Sequence, residues 1–223
     1  PGRGFAVATG LPFRLFQLCD FAVSAGVQGV QLAEEREILR LLLHPRDRSA
    51  QRDQICPRWR WHLPLCLTQL HLKKALKENF QVLVLLPEIA LTKQIAQRFK
   101  DYFGCEISLW HSSIGDKRKK IIWKGVSENK IKLVLGARSA IFLPFKNLKL
   151  IVIDEEHDSS YKQDEGVIYN ARDMSILKGS IDKFPVLLIS ATPSLESYFN
   201  SKNKKYFYVS LQERYKNISL PKI

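Results

Sequence analysis

The sequence predicts an α/β fold with a parallel three-layer sheet, on three observations. Short apolar runs alternate with amphipathic segments of helical spacing from residue 72 onward. One run, Leu150-Ile151-Val152-Ile153, is continuously apolar, the pattern of a strand buried on both faces. That run opens directly into Asp154-Glu155-Glu156-His157. The carboxyl ends of strands are where open α/β sheets hold their ligand chemistry.

The elements follow in order. A short basic helix over Leu72 to Glu78 leads into a strand from Gln81 to Leu86, which Pro87-Glu88 ends. Ile95, Phe99 and Phe103 share one helical face, predicting a helix from Ala90 to Phe103 with Gly104 as its stop. Glu106 to Trp110 reads as a second strand, Gly115 to Val126 as a helix and Ile131 to Leu135 as a third strand. Leu150 to Ile153 is the fourth strand and Val186 to Ile189 the fifth, with helices over Ala171 to Gly179 and Leu195 to Asn200. Strand–helix alternation of this kind builds βαβ units.

Composition narrows the partners. Lys plus Arg number 35 against 22 Asp plus Glu, a formal charge of +13, which favours a polyanion and above all nucleic acid. The four cysteines, Cys19, Cys56, Cys66 and Cys105, form no CxxC pair, so neither a zinc site nor a disulfide framework is expected, and a cytoplasmic setting fits. No apolar run reaches the length of a membrane span.

The chain changes character near residue 72. Residues 1–72 hold nine Arg but no Lys, Asn or Tyr, whereas from Lys73 onward there are 21 Lys, seven Asn, seven Tyr and five Arg. Residues 1–72 lack clean strand or helix periodicity, apart from one amphipathic stretch over Gln28 to Leu43. The basic-aromatic run Arg58 to Trp61 carries the residue types of nucleic-acid stacking. The change is too abrupt for an ordinary boundary. Residues 1–72 are expected to be an atypical segment, non-native or disordered, from a frameshifted reading or a fusion.

Five motifs carry the chemistry. Asp154 and Glu155 at a buried strand's end suit a hydrated Mg²⁺ beside nucleotide phosphates, Asp154 toward the metal and Glu155 free to orient or deprotonate a water. Ser190-Ala191-Thr192 closes the fifth strand with hydroxyls able to sense that site, or alternatively to cap the next helix. Pro87-Glu88 to Thr92 closes the first strand, and Gly136-Ala137-Arg138-Ser139 closes the third with a cation, a hydroxyl and small residues that admit a phosphate backbone. Asp158 to Asp173 brings Tyr161, Lys162, Tyr169 and Arg172 next to the acids. These are side chains that stack on bases and pair with phosphates, or that simply anchor a surface loop.

Motifs of this wording and order, VLVLLPEIALT, His111-Ser112-Ser113, GARSAIFLPF, IVIDEEHDSSYKQDEGVIYNARD and ISATPSLES, resemble the superfamily 2 helicases, and within them the bacterial primosomal, replication-restart DNA helicases. The resemblance runs from about residue 70 to 223 and includes Leu211-Gln212-Glu213-Arg214 and Leu220-Pro221. It implies a RecA-like P-loop NTPase lobe over residues 73–210, here incomplete, and the start of an inter-lobe linker over 211–223. The implied activity is 3′-to-5′ DNA translocation coupled to hydrolysis of ATP with Mg²⁺. Implied partners are forked or single-stranded DNA, the primosome and single-strand-binding proteins. Asp154, Glu155 and His157 would be the hydrolytic residues, with His157 and Asp158 linked to Ser190 and Thr192. Tyr161, Lys162, Tyr169 and Arg172 would belong to a loop coupling DNA to hydrolysis, and Pro87, Glu88, Thr92, Arg138 and Ser139 would touch the strand. The chain departs from the family in having no GxxxxGK[ST] motif; Trp61 to Thr68 stands in its expected place. The family's zinc module and second lobe are likewise expected to be missing. A lobe so reduced is expected to be inactive alone, a non-catalytic DNA- or partner-binding fragment, or a pseudogene product.

Overall fold

The computed structural model describes residues 71–210 and one strand of the N-terminal part, β1 (Arg14–Gln17). A first helix, α1, covers residues 71–77, and strand β2 (Gln81–Leu85) follows. Then come α2 (Lys93–Phe103), β3 (Ile107–Trp110), α3 (Asp116–Ser127), β4 (Leu133–Gly136) and β5 (Leu148–Ile153). A small antiparallel pair, β6 (Lys162–Gln163) and β7 (Tyr169–Asn170), precedes α4 (Ala171–Asp182), β8 (Val186–Ser190), α5 (Leu195–Lys202) and β9 (Phe207–Ser210).

The main sheet runs in the order β3-β4-β2-β5-β8-β1-β9. Its first five strands are parallel, and β1 lies antiparallel to both β8 and β9. The expected parallel three-layer α/β sheet is what forms. β5 lies at the centre, and its side chains alternate between two cores. Leu150 and Val152 join Leu72, Ala75 and Phe99 on the α1/α2 face. Ile151 and Ile153 join Ile122, Val126 and Ala171 on the α3/α4 face. Each such fully buried aliphatic contributes about 1.5–3 kcal/mol by leaving water, which accounts for the unbroken apolar run.

The edge opposite the acids is tied by one polar side chain. The Gln81 amide donates to Val126 O and Ile131 O, both at 2.9 Å, and accepts from Lys146 N and Asn147 N at 2.9 and 2.8 Å. All four of its hydrogen-bonding positions are used, as a fully buried amide requires.

Three expectations need correction. The helix predicted from Ala90 starts at Lys93, because Thr92 caps it by accepting from Ile95 N at 3.3 Å, while Glu88–Ala90 forms its own 3₁₀ turn. Strand β9 is an addition to the predicted elements, and so is β1, which falls in a stretch without clean periodicity. The other readings on residues 1–70 and 211–223 concern residues outside those described. They include the Gln28 to Leu43 helix, the Arg58 to Trp61 run, the Trp61 to Thr68 stretch and the inter-lobe linker. Among the described residues, no helix is long and apolar enough to cross a membrane. No group of three His, Cys, Asp or Glu among them could hold a metal alone, and Cys105 is a free thiol.

Candidate active site

The acids sit where the topology places a crevice. After β2 the chain crosses by α2, on one face of the sheet, toward β3; after β5 it crosses by α4, on the other face, toward β8. The gap between the ends of two neighbouring strands that leave in opposite directions is the binding position of open α/β sheets. Asp154 N donates to Leu85 O at 3.0 Å, and Glu156 N donates to Ile189 O at 3.0 Å, so the acidic turn bridges β2, β5 and β8.

Four neighbours in the chain have four different environments. Asp154 accepts from Glu155 N at 3.2 Å and has no cationic partner among the described residues. Burial pushes its carboxyl up to about 6, opposed by that one N–H. Glu155 adopts a left-handed backbone, φ 48°, which costs a non-glycine residue about 1 kcal/mol and turns its side chain out of the strand's alternation. Glu156 is buried, at 2 % exposure. Its carboxylate accepts from Ser194 N at 2.7 Å, Ser194 Oγ at 3.1 Å, Ser197 Oγ at 3.0 Å and the Arg172 guanidinium at 3.2 Å. His157 places Nδ1 2.7 Å from Ser190 Oγ and Nε2 3.3 Å from Thr192 Oγ1, with Glu155 Oε2 3.6 Å from Nδ1. Thr192 N donates to Ser190 Oγ at 3.0 Å, which holds that hydroxyl toward the imidazole.

The structure thus brings Asp154, Glu155, His157, Ser190 and Thr192 together, and it reassigns several residues. Asp158 does not reach Ser190 or Thr192; its carboxylate accepts from Ser160 N at 2.7 Å and starts a 3₁₀ turn. Tyr161 is 1 % exposed, so it has no face to offer a base. Its hydroxyl lies 2.5 Å from Asp154 O and 3.1 Å from Leu85 O, joining the ends of β5 and β2. Burial, then the charge of Asp154, lifts this phenol well above its usual range, so it stays a donor. Arg172 is also withdrawn from solvent, between Glu156, Asp173 and Ser194 Oγ. Burial works against its charge, but the carboxylates of Asp173 and Glu156 outweigh it and raise the guanidinium further. Pro87 is buried as well, whereas Glu88 and Thr92 of that turn are exposed.

The other side chains line the rim. Ser112 Oγ donates to the Glu88 carboxylate. Ser139 is exposed and accepts from Trp110 Nε1 at 3.1 Å. Arg138 donates to Ser160 O at 3.3 Å and Lys162 O at 3.0 Å, tying the exit of β4 to the β6 strand. Lys162 is exposed and pairs with Asp164 at 2.8 Å, and Tyr169 stacks edge-on against Phe142, their centroids 4.9 Å apart. Sequence reasoning missed Glu156, whose signal was a third acid in a run facing an Arg and two serines far along the chain.

The residues present fit a hydrated Mg²⁺. A half-buried carboxylate without a basic partner is the complement of a cation that keeps most of its waters and takes one or two protein oxygens. Comparison with known proteins decides the family. The sequence profile described as "DEAD/DEAH box helicase" matches residues 63–200, more than half of the chain. The chain belongs to the DEAD/DEAH box helicases. Within that family it is similar to the replication restart protein PriA of Rickettsia prowazekii, 57 % identical over 143 residues, covering 64 % of this chain and 22 % of the relative. It is 45 % identical to PriA of Haemophilus influenzae over 144 residues, 65 % of this chain and 20 % of the relative. The match to PriA of Bacillus subtilis is 41 % over 152 residues, 68 % and 19 %. These relatives bear out the resemblance to replication-restart helicases, and the chain spans about a fifth of their length.

Proposed function

We propose that this helicase chain carries part of the nucleotide-hydrolysing lobe of a replication-restart DNA helicase, which couples ATP hydrolysis to 3′-to-5′ movement on DNA. The observation that carries the reading is His157, whose ring nitrogens span Ser190 and Thr192 while its neighbour Glu155 stands 3.6 Å from Nδ1. Asp154 would hold Mg²⁺ through its free carboxylate oxygen. The cation, when bound, neutralises charge developing on the phosphates. Glu155 would orient and deprotonate the attacking water. His157 then reports the state of that acid to the end of β8. A DNA strand would cross the rim made by Glu88, Thr92, Ser139 and the exposed part of the β6/β7 pair, Lys162 and Tyr169. Forked or single-stranded DNA, the primosome and single-strand-binding proteins are the partners this reading proposes, in the cytoplasm.

The chain has no GxxxxGK[ST] sequence, whose backbone amides and Lys hold phosphates, and that favours a second reading, a DNA- or partner-binding fragment without turnover. One experiment separates them. Residues 61–68 are replaced by an eight-residue GxxxxGK[ST] loop, and Mg²⁺-dependent ATP binding is measured by calorimetry. The hydrolase reading expects binding to appear and Asp154→Ala to abolish it. DNA binding by the repaired chain with no nucleotide affinity would establish the second reading instead.

A further inference from the structure

We infer that the outer face of α3 is a second contact for single-stranded DNA, apart from the rim beside the acids. The inference rests on the reading of the chain as a DNA-handling lobe. Ile122 and Val126 turn one side of α3 into the core, which points Lys117, Lys120 and Lys124 the opposite way. At 1.5 Å per residue these three ammonium groups are strung over roughly 10 Å, about the axial length of three base steps. Lys117 and Lys120 have no ion-pair partner among the described residues. Lys124 lies 3.8 Å from Glu128, whose carboxylate is held closer by Lys130 at 2.6 Å. Positive charge is thus left uncompensated along the stripe.

Two further observations select a single strand. Trp123 is 49 % exposed on one flank of the stripe, one helical turn from Lys119 and Lys120, and Ile121 is 69 % exposed on the other flank. A bare indole beside a line of cations is the pairing that tracks an unpaired strand, phosphates on the lysines and a base on the ring. The helix that carries the stripe also starts at the rim. Lys119 Nζ donates to Ser112 O at 3.3 Å, and Ser112 Oγ donates to Glu88, so α3 leads away from the very turn where a strand would pass. A strand leaving Thr92 and Glu88 therefore meets α3 next, and duplex, which hides its bases, gains only the lysine part of this surface.

The test uses the chain itself and a fluorescent oligothymidine, read by anisotropy over a salt series. Replacing Lys117, Lys120 and Lys124 by Gln is expected to weaken binding about tenfold or more and to lower the slope of log K against log salt by about 2. Trp123→Ala is expected to weaken single-strand binding about tenfold while hardly changing duplex binding, with Trp123→Phe restoring it. Unchanged affinity and slope in the lysine variant, with normal binding by the parent chain, would overturn the α3 inference alone. A parent chain that binds no oligonucleotide would remove the DNA-handling reading with it. Competition by polyglutamate as strong as by oligothymidine at equal charge would make α3 a general polyanion surface and also reject the proposal.

Discussion

Asp154 shows how one carboxyl can be costly to the fold and useful to the site. Its pKa is lifted from 3.8 to about 6 because burial disfavours the charge and only Glu155 N–H supports it. A carboxyl whose folded value lies above its unfolded value binds the proton more tightly when native. Stability from this group is therefore full below about pH 4 and is lost as pH rises through about 6. A rise of that size corresponds to about 3 kcal/mol at most. Asp154→Asn is therefore expected to raise the stability of the metal-free protein at pH 7 by about 1–3 kcal/mol. It should also flatten the dependence of urea melts on pH between about 4 and 6, with a chelator present. An unaltered slope in the variant would mean another group titrates there. The sequence made Asp154 and Glu155 legible as candidates, because two acids after LIVI have few structural uses. It could not show that the second takes a left-handed backbone, since a φ of 48° follows from the neighbouring strand ends and not from any residue type in the motif.

At the scale of elements, the Glu156–Arg172 pair fastens the turn after β5 to the start of α4 and, through Ser194 and Ser197, to the start of α5. Removing Arg172 leaves Glu156 charged, dry and without a cation, whereas Arg172 keeps Asp173. Arg172→Met is expected to destabilise by about 3–5 kcal/mol, and adding Glu156→Gln should recover a large part of that. Both are measurable as displacements of the urea midpoint at constant m. A loss below about 1 kcal/mol would show that Arg172 faces solvent instead. Sequence reasoning places Arg172 and Tyr161 on DNA because basic and aromatic residues in a polar loop carry that signature. Here they turn inward, Arg172 because a buried acid sits sixteen residues upstream and Tyr161 because two strand ends offer carbonyls to its hydroxyl. Inward and outward use of such residues leave the same local pattern. Boundaries fail for a smaller reason: Thr92 outcompetes Ala90 as a helix start by supplying a side-chain oxygen to Ile95 N.

For the molecule as a whole, alternating apolar runs and amphipathic helices were enough to read the five parallel strands, because each strand must be covered on both faces. The additions β1, the one reversed strand, and β9 beyond it were not legible, as strands pairing at the sheet's far side need no distinctive pattern of their own. Nucleotide affinity belongs to this scale, since it needs the phosphate loop as well as the acids. The unmodified chain is expected to show no rise in melting temperature with millimolar Mg²⁺-ATP. Nucleotide present at about a hundred times its Kd would instead add about 2.7 kcal/mol and several degrees. A rise of that size would show that phosphates are held by groups other than the missing motif. Finally, Gln81 knots the entry of β5, the end of α3 and the approach to β4 at the rim remote from the acids, a strand's length of roughly 17 Å away. The lobe is bound like a book along that spine, while Tyr161 and Glu156 clasp the opposite margin, so the pages that would take the nucleotide and the DNA are held at both edges.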